Sequence, residues 1–445
     1  MGMNFLYEVL PLSIGIFVTL WLVNLFHTII RPDLRGVPGP FFRSVSNIPR
    51  LLSARSGHYH VSQLALHRKY GDIVRLGPNC ISVFDPTLIQ DIYGSGSGFN
   101  KSGFYPTQQN YSNGKAVQGM FNTLDQSLHR KLRKPVAHVY SMTKVKDFEP
   151  LVDRTNEVFF QQLDKRFART GEIFNLGLWL QFYSFDVVGE VTFSRRLGFL
   201  DSGEDVENII PAIKKKMIYS GWVGQMPWID KVLEKNRIVS YFGYTSPVVK
   251  FAARRRAERL ASSDFKDYDS KDFLSQFLEI QARSSDIPDW YVTTWTLTNV
   301  FAGSDTTAIA LKAIVYYLLK NPRVLKLLRE ELRDHNISFP INWSVAKNLP
   351  YLDAVVKEAM RLHPSVSFPL ERVVPDRGVK ILGKTVKEGT IIGVNPWVIH
   401  RNKVVFGPDA EEFRPERWLE ATIDELKSMD RSYMTVSQHP NVLLN

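Results

Sequence analysis

The sequence has almost no cysteine. Its 445 residues include only Cys80, so no disulfide can form within the chain, which suits a reducing compartment. A structural zinc site needs several Cys or His ligands at set spacings, and no such group is visible. The C-x-x-C-H segment of covalently attached haem is also missing, which excludes a c-type cytochrome.

The positive charge is not concentrated in any segment. The net charge is +11, but the longest basic runs are only Lys214–Lys216 and Arg254–Arg256, and no nucleic-acid-binding motif accompanies them. These residues are interpreted as solvated helix faces rather than a DNA site. With 44% hydrophobic and 23% charged residues, the chain can bury a large core and is not disordered over most of its length.

One long hydrophobic run, Val9 to Ile30, contains no charged residue. As a helix it would be about 33 Å long, enough to cross a bilayer core. A cleaved signal peptide fits less well, because no basic residue precedes the run and bulky residues end it. A buried core helix is the other alternative. The basic residues that follow, beginning with Arg31 and Arg35, predict a single-pass anchor with the remaining chain in the cytosol.

The rest of the chain indicates one large domain. We predict an anchor at 1–30, a proline-rich hinge at 31–60, one mixed domain at 61–435 and an aberrant tail at 436–445. The hinge contains the segment VPGP, which breaks a helix and favours an extended connector. No repeat of 20–50 residues is present.

Helical periodicity dominates from Asp125 to about Leu362. Strand patterns are short. Ile73–Leu76 and Cys80–Phe84 predict a β-hairpin, and Val379–Val386 and Thr390–Val394 predict further strands. The predicted fold class is therefore mainly α with small β-sheets (α+β).

One predicted helix, Trp290–Lys320 with Asp289 as its N-cap, is apolar nearly all round. Such a helix is either buried or membrane-spanning. Asp305 and Lys312 argue against a membrane span, because each charge costs about 2.5–3.5 kcal/mol near a bilayer centre. We expect a central helix through a soluble core.

The middle of this helix reads AGSDTT. The small residues Ala302 and Gly303 would let a flat ligand approach the backbone. Thr306 lies four residues after Ala302, so its hydroxyl can bond that carbonyl and open a groove for water or a diatomic ligand. Asp305 can supply protons to the groove. A small-residue helix-packing site explains the same segment equally well.

Glu358 and Arg361 lie on one face of a predicted helix, Tyr351–Leu362, where a bidentate ion pair can form. Arg417 could complete a Glu–Arg–Arg network. The E-x-x-R pattern is weak alone, since it also begins at Glu234, Glu330 and Glu411. Buried ion pairs fix one arrangement more than they add stability.

Three further cations, His129, Arg133 and Arg372, are each most simply explained as surface charges. His129 and Arg133 are spaced i,i+4 on one predicted helix face. Together the three would suit two carboxylates on a flat ligand.

In this order, the segments resemble those of the cytochrome P-450 family, from the hinge to about Thr435. Four stretches are similar to its fungal, pisatin-demethylase-like branch: FNKSGFYP, HRKLRKPVAHVYS, FDVVGEVTFSRRLGFL and VGQMPWIDKVLEKN. The resemblance implies a cytochrome P-450 fold and a monooxygenase of lipophilic secondary metabolites or plant defence compounds. It also implies haem b as the cofactor, NADPH as the source of electrons through a flavoprotein reductase, and a location in the endoplasmic reticulum membrane.

By the same resemblance, Thr306 and Asp305 would be catalytic, in oxygen activation and proton delivery. His129, Arg133 and Arg372 would hold the haem propionates beside Ala302 and Gly303. Glu358, Arg361 and Arg417 would form the structural triad of the family.

The sequence departs from the family pattern after Thr435. The glycine-rich loop with the haem-ligating Cys does not follow, nor do the next helix and the last sheet. Cys80 lies in the predicted hairpin and is interpreted as a core residue, while His439 would lack the electron push of a thiolate. We expect a truncated gene model or splice form that lacks the axial Cys.

Three functions follow. The first is a haem-dependent monooxygenase that inserts one oxygen atom of O2 into a lipophilic small molecule. The second is a catalytically inactive truncated chain, which the absent Cys favours for this polypeptide. The third is a protein that binds lipophilic ligands without redox chemistry.

Overall fold

The computed structural model describes Thr19 and residues 31–94, 96–261 and 272–435. Helices dominate this part of the chain, which confirms the predicted mainly α class with small sheets. The longer helices are Tyr59–Tyr70, Gln126–Val136, Glu149–Leu163, Leu176–Phe193, Ile209–Val223, Pro247–Ala261, Phe273–Ala282, Asp289–Lys320, Pro322–Asp334, Pro350–Leu362 and Ile423–Ser432. The shorter ones are Pro32–Arg35, Phe41–Val45, Ile48–Arg55, Leu88–Tyr93, Met142–Val145, Phe199–Ser202, Trp228–Leu233, Arg237–Tyr241, Trp343–Ala346, Pro396–Ile399, Lys403–Phe406 and Arg417–Glu420.

The strands form one larger sheet and two small hairpins. They are β1 Ile73–Gly77, β2 Cys80–Val83, β3 Asn100–Lys101, β4 Asn110–Ser112, β5 Lys115–Val117, β6 Arg372–Val373, β7 Val379–Ile381, β8 Lys384–Val386 and β9 Ile391–Val394. The larger sheet has the order β1-β2-β9-β6-β3. β1 and β2 pair antiparallel, which confirms the predicted hairpin, and β2 pairs parallel with β9.

Two local predictions were wrong. The stretch predicted as one strand, Val379–Val386, is a hairpin of β7 and β8, because Leu382 and Gly383 turn the chain with φ values of 48° and 78°. The central helix starts at Asp289, so its N-cap is Pro288 rather than Asp289. A hairpin with a two-residue turn has the same apolar content as a continuous strand, which hides it from pattern analysis.

The central helix, Asp289–Lys320, packs along Leu176–Phe193 inside the largest hydrophobic cluster. Most residues from Tyr291 to Val300 are buried, with Trp295 and Val300 fully covered. The indole nitrogen of Trp295 donates to the carbonyl oxygen of Leu132 at 3.0 Å. This bond ties the central helix to the helix Gln126–Val136, which carries two of the predicted cations.

Residues 31–60, predicted as a hinge, form short helices. Phe41–Val45 packs against β1 of the larger sheet, Pro32–Arg35 against β8, and Ile48–Arg55 against the helix Ile209–Val223. Leu34 is fully buried, and the backbone N–H of Arg75 donates to Pro38 at 2.8 Å. A Cβ at Gly39 would lie 2.6 Å from the carbonyl oxygen of Arg75, so only glycine allows this close approach. The predicted domain boundaries themselves stay predictions.

The predicted localisation needs correction. Across the described ranges, no helix is long and apolar enough to cross a membrane. This finding contradicts the single-pass N-terminal anchor and the endoplasmic reticulum placement that depended on it. The predicted anchor segment, 9–30, lies outside the described residues apart from Thr19.

We predict that Gly189→Ala destabilises the protein. A Cβ there would lie 2.7 Å from Leu197 Cγ and 2.8 Å from the Arg195 carbonyl oxygen. This overpacking should cost about 1–3 kcal/mol and outweigh the roughly 1 kcal/mol that alanine gains in helix propensity. Urea unfolding measures the change. Gly177→Ala, in the first turn of the same helix, is the control, and equal stability of the two variants would contradict the prediction.

Candidate functional site

The three predicted propionate cations, His129, Arg133 and Arg372, line one cavity of about 380 Å³. No Asp or Glu is among the described residues of its wall. The other lining residues are Ile92, Tyr93, Gly94, Gly96, Ser97, Gly98, Phe99, Asn100, Lys101, Gln126 and Arg130. A cavity walled by several cations and no carboxylate suits an anionic ligand.

Local structure fixes the two helical cations. Asp125 caps the helix Gln126–Val136 by accepting from the backbone N–H groups of Ser127 and Leu128, at 2.8 and 3.1 Å. His129 and Arg133, four residues apart, therefore share one face. His129 is buried and Arg133 is half-buried.

Arg372 reaches the cavity from β6. It is 4% exposed and donates to the Tyr105 hydroxyl at 2.6 Å. Its guanidinium lies 5.1 Å from the ring centre of Tyr93 and 5.5 Å from that of Tyr105. These ring contacts stabilise the cation without neutralising its charge.

The AGSDTT segment holds the hydrogen bond that its spacing predicts. Thr306 Oγ1 donates to the Ala302 carbonyl oxygen at 2.7 Å. Ala302 and Thr307 are exposed in the middle of an otherwise mostly covered helix. Ser365 Oγ donates to the Thr306 carbonyl oxygen at 2.9 Å and links this turn to the chain after Leu362. None of the segment lines the cation cavity.

Asp305 faces the neighbouring helix Leu176–Phe193. Its Oδ1 accepts from Gln181 Nε2 at 3.3 Å, and Gln181 Oε1 accepts from Lys312 Nζ at 2.9 Å. Burial raises the pKa of Asp305, and the charge of Lys312 opposes that rise only in part. A carboxyl group with a raised pKa can hold and release a proton more readily near neutral pH.

Gly303 lies where the central helix contacts a neighbouring helix. A Cβ there would lie 3.0 Å from Val188 Cγ2, on the helix Leu176–Phe193. Its small size therefore lets two helices pack closely, which is the packing alternative considered for this segment. Ala302 alone presents a small side chain to the open face.

Glu358, Arg361 and Arg417 form a fully buried network. Arg361 donates to both carboxylate oxygens of Glu358, at 2.9 and 2.8 Å, and Arg417 Nε donates to Oε1 at 2.8 Å. Trp418 Nε1 and the Arg414 backbone N–H, each at 3.0 Å, complete its shell. Burial raises the pKa of Glu358, but both arginines outweigh it and hold that pKa below its usual value.

His400 extends this network toward the end of the described chain. Its Nε2 accepts from the Met434 backbone N–H at 2.8 Å, so Nδ1 carries the proton and donates to the Arg361 carbonyl oxygen at 2.9 Å. Burial lowers the pKa of His400 to about 3, which keeps the ring neutral. The triad is thus linked to the backbone of Met434 through His400.

Two residues of the site were missed by sequence reasoning. Lys101 lines the cation cavity, although its segment FNKSGFYP was noticed only as a resemblance. Gln181 bridges Asp305 and Lys312 across two helices. A single glutamine on an apolar helix carries no local signal, and only the packing of the helices reveals its partners.

Comparison with known proteins places the chain in a family. The model of the family described as Cytochrome P450 matches residues 37–435. The chain belongs to the cytochrome P450 family. It is 41% identical over 432 residues to cytochrome P450 monooxygenase cicH of Emericella nidulans, covering 96% of this chain and 87% of that protein.

Other relatives agree. A cytochrome P450 monooxygenase of Aspergillus terreus is 40% identical, over 95% of this chain and 88% of its own. Cytochrome P450 monooxygenase mfmA of Annulohypoxylon moriforme is 39% identical, over 92% and 83% respectively. The match to the family model reaches residue 435, so the comparisons give no support to the expected truncation or inactivity.

The family implies haem, and the described residues fit one part of it. The cation cavity matches the two carboxylates at the edge of the group. The thiolate ligand is not found among the described residues, because the one cysteine, Cys80, lies buried in β2 beside Val74 and Leu76. Burial raises the pKa of Cys80 to about 12, and Cys80 does not line the cavity. His439 lies outside the described residues.

We predict that Glu358→Gln destabilises the protein by about 3–5 kcal/mol, because two buried arginines lose their counter-ion. Since the folded pKa of Glu358 is depressed, its contribution is present above the unfolded pKa, about 4.3, and is lost as pH falls through the folded pKa. Urea unfolding from pH 7 to pH 3 should show the difference between wild type and variant shrink.

Glu411→Gln is the matched control for that substitution. Glu411 also begins an E-x-x-R pattern, but its ion pair with Arg68 is exposed. Its replacement should cost less than about 1 kcal/mol. A similar cost for both variants would contradict a special role of the buried network.

We also predict that Cys80→Ala leaves the absorption spectrum of the haem-loaded protein unchanged. The substitution should cost only about 1–2 kcal/mol, because it removes one buried sulfur from the sheet core. The reduced, carbon-monoxide-bound spectrum of wild type and variant is the measurement. Loss of a thiolate-type band in the variant would show that Cys80 reaches the iron.

Proposed function

We propose that the protein is a haem-dependent monooxygenase that inserts one oxygen atom of O2 into a lipophilic small molecule. The observation that carries the proposal is the Thr306–Ala302 hydrogen bond on the open face of the central helix. It sets a hydroxyl beside a backbone carbonyl at the one mid-helix turn where Ala302 and Thr307 are exposed. Water or dioxygen can lie in such a groove.

The roles of this chain's residues follow from their contacts. Thr306 would orient water or dioxygen in the groove. Asp305, the adjacent residue, would hold a proton because its pKa is raised. Gln181 and Lys312 would fix the Asp305 carboxyl group. His129, Arg133 and Arg372 would bind the acidic edge of the haem, which supplies the redox chemistry when bound. None of the described residues is assigned as an iron ligand.

The substrate class rests on similarity. The relatives named above are cytochrome P450 monooxygenases of fungi. The four stretches that resemble the pisatin-demethylase-like branch support lipophilic secondary metabolites as substrates. Electrons would come from NADPH through a flavoprotein reductase, as is general in the family. The basic net charge of +11 suits an acidic reductase surface.

A binding protein without redox chemistry is the second candidate. It would need the cation cavity but no hydroxyl and carboxyl group on the central helix. Asp305 and Thr306 therefore favour the enzyme, and the comparisons give no observation that favours an inactive chain.

We predict that Thr306→Ala separates reductant consumption from product formation. With the hydroxyl gone, product formed per NADPH consumed should fall about tenfold or more, because the proton path at the groove is lost. Thr306→Ser should restore most of it. The measurement pairs NADPH consumption with uptake of label from isotopic O2 into the product of the full chain with its reductase.

Thr307→Ala is the control, because Thr307 is the adjacent exposed hydroxyl. It should behave like wild type. Equal losses in the Thr306→Ala and Thr307→Ala variants, or label that enters the product from water, would contradict the assignment.

A further inference from the structure

The side-chain nitrogen of Lys101 is buried and, in its charged form, has no carboxylate partner among the described residues. Lys101 is 7% exposed and donates to the carbonyl oxygens of Met120 and Phe121, at 2.8 and 3.0 Å. Its nitrogen also lies 5.6 Å from the ring centre of Tyr105. Carbonyl and ring contacts solvate the ammonium group in part and leave its charge uncompensated.

A second buried cation lies directly opposite. β3 and β6 pair antiparallel, and Lys101 is the register partner of Arg372. Side chains of such directly opposite residues lie about 4.5–5.5 Å apart at Cβ, where two like charges destabilise the pair. Both side chains also line the cation cavity.

The neighbouring carboxylate does not relieve this repulsion. Glu371 precedes Arg372, so strand alternation turns it to the other face of the sheet. There it accepts from Arg50 at 2.5 Å and from Ser102 Oγ at 2.7 Å. Arg50 also donates to Gln225 at 2.8 Å. A buried network on the face of the sheet opposite the cavity therefore holds β3 and β6 in register.

Among the described residues around the cavity, the remaining charged and titratable groups add positive charge or none. His129, Arg130 and Arg133 face it from the helix Gln126–Val136, and Tyr93 and Tyr105 are neutral phenols near neutral pH. Arginine does not give up its proton in proteins, whereas a buried lysine does. Of the lysine and arginine side chains that line the cavity in the described chain, Lys101 is therefore the one that can lose its proton when the cavity is empty.

We propose that Lys101 makes dicarboxylate binding in this cavity proton-linked: it is a neutral amine when the cavity is empty and an ammonium ion when a ligand carboxylate lies against it. The inference rests on the proposed function, which supplies the dicarboxylate, the acidic edge of haem. It adds that one proton enters with the ligand.

The electrostatic balance agrees with this linkage. Burial and the charge of Arg372 lower the pKa of Lys101 to about 7 in the empty cavity. A bound dianion raises it again. Affinity is then constant below about pH 7 and falls about tenfold for each pH unit above it, until the pKa of the bound form is reached.

The first test measures the affinity of the full chain for protoporphyrin IX from pH 6 to pH 9 by tryptophan quenching. The metal-free probe removes the axial ligand from the experiment. Wild type should show the tenfold fall per pH unit above about pH 7. The affinities of Lys101→Met and Lys101→Arg should not change with pH. Binding should be weak in Lys101→Met, because methionine never carries the charge, and strong in Lys101→Arg, because arginine always does.

Lys115→Met is the matched control, because Lys115 is exposed on β5. It should keep the wild-type profile. His129→Gln tests the other titratable cation, whose ordinary pKa is about 6.5. A slope that survives in both Lys101 variants and disappears in His129→Gln would overturn the inference.

The second test needs no ligand. Because the folded pKa of Lys101 lies below its unfolded value of about 10.4, the unfolded chain binds more protons between pH 7 and that value. The urea midpoint of wild type should therefore rise with pH relative to that of Lys101→Met. An identical pH dependence of both proteins would overturn the inference.

The two tests separate failure of the inference from failure of the function. If protoporphyrin binds to wild type and its pH profile is unchanged by the Lys101 variants, the inference fails and the cofactor site stands. If wild type binds no protoporphyrin at any pH, the cofactor site fails and the inference fails with it.

Discussion

The register between β3 and β6 is the constraint on which the candidate site depends. It places Lys101 opposite Arg372 and leaves Ser102 and Glu371 on the reverse face. Arg50, from a helix near the start of the described chain, holds that reverse face through Glu371. The stability of one buried ion pair thus maintains a nearby excess of positive charge, which an anionic ligand is needed to balance.

The triad of Glu358, Arg361 and Arg417 differs from the cation cavity in its charge balance. Glu358 satisfies two buried arginines and an indole, so the network is electrically complete and needs no ligand. Its function is mechanical: through His400 it fixes the backbone at Met434. The buried charges of the triad therefore hold the backbone in place, whereas those of the cation cavity are available to bind an anionic ligand.

Residues whose partners lie at helical spacing were predictable from the sequence. The Thr306–Ala302 and Glu358–Arg361 contacts follow from offsets of four and three. The contacts of Lys101, Gln181 and Gly303 were not predictable, because their partners come from distant segments brought together by packing. The β7–β8 hairpin was missed for a related reason, since its two-residue turn is hidden in a continuous apolar pattern.

We propose that the cavity between β3, β6 and the helix Gln126–Val136 recognises the two carboxylates of a porphyrin. Comparison of protoporphyrin IX with its dimethyl ester at pH 7 tests it most directly, because the two differ only in those carboxylates. We predict that the diacid binds at least about a hundredfold more tightly, because two charge-assisted contacts contribute about 1.5 kcal/mol each. Equal affinity for the diacid and the diester would contradict it.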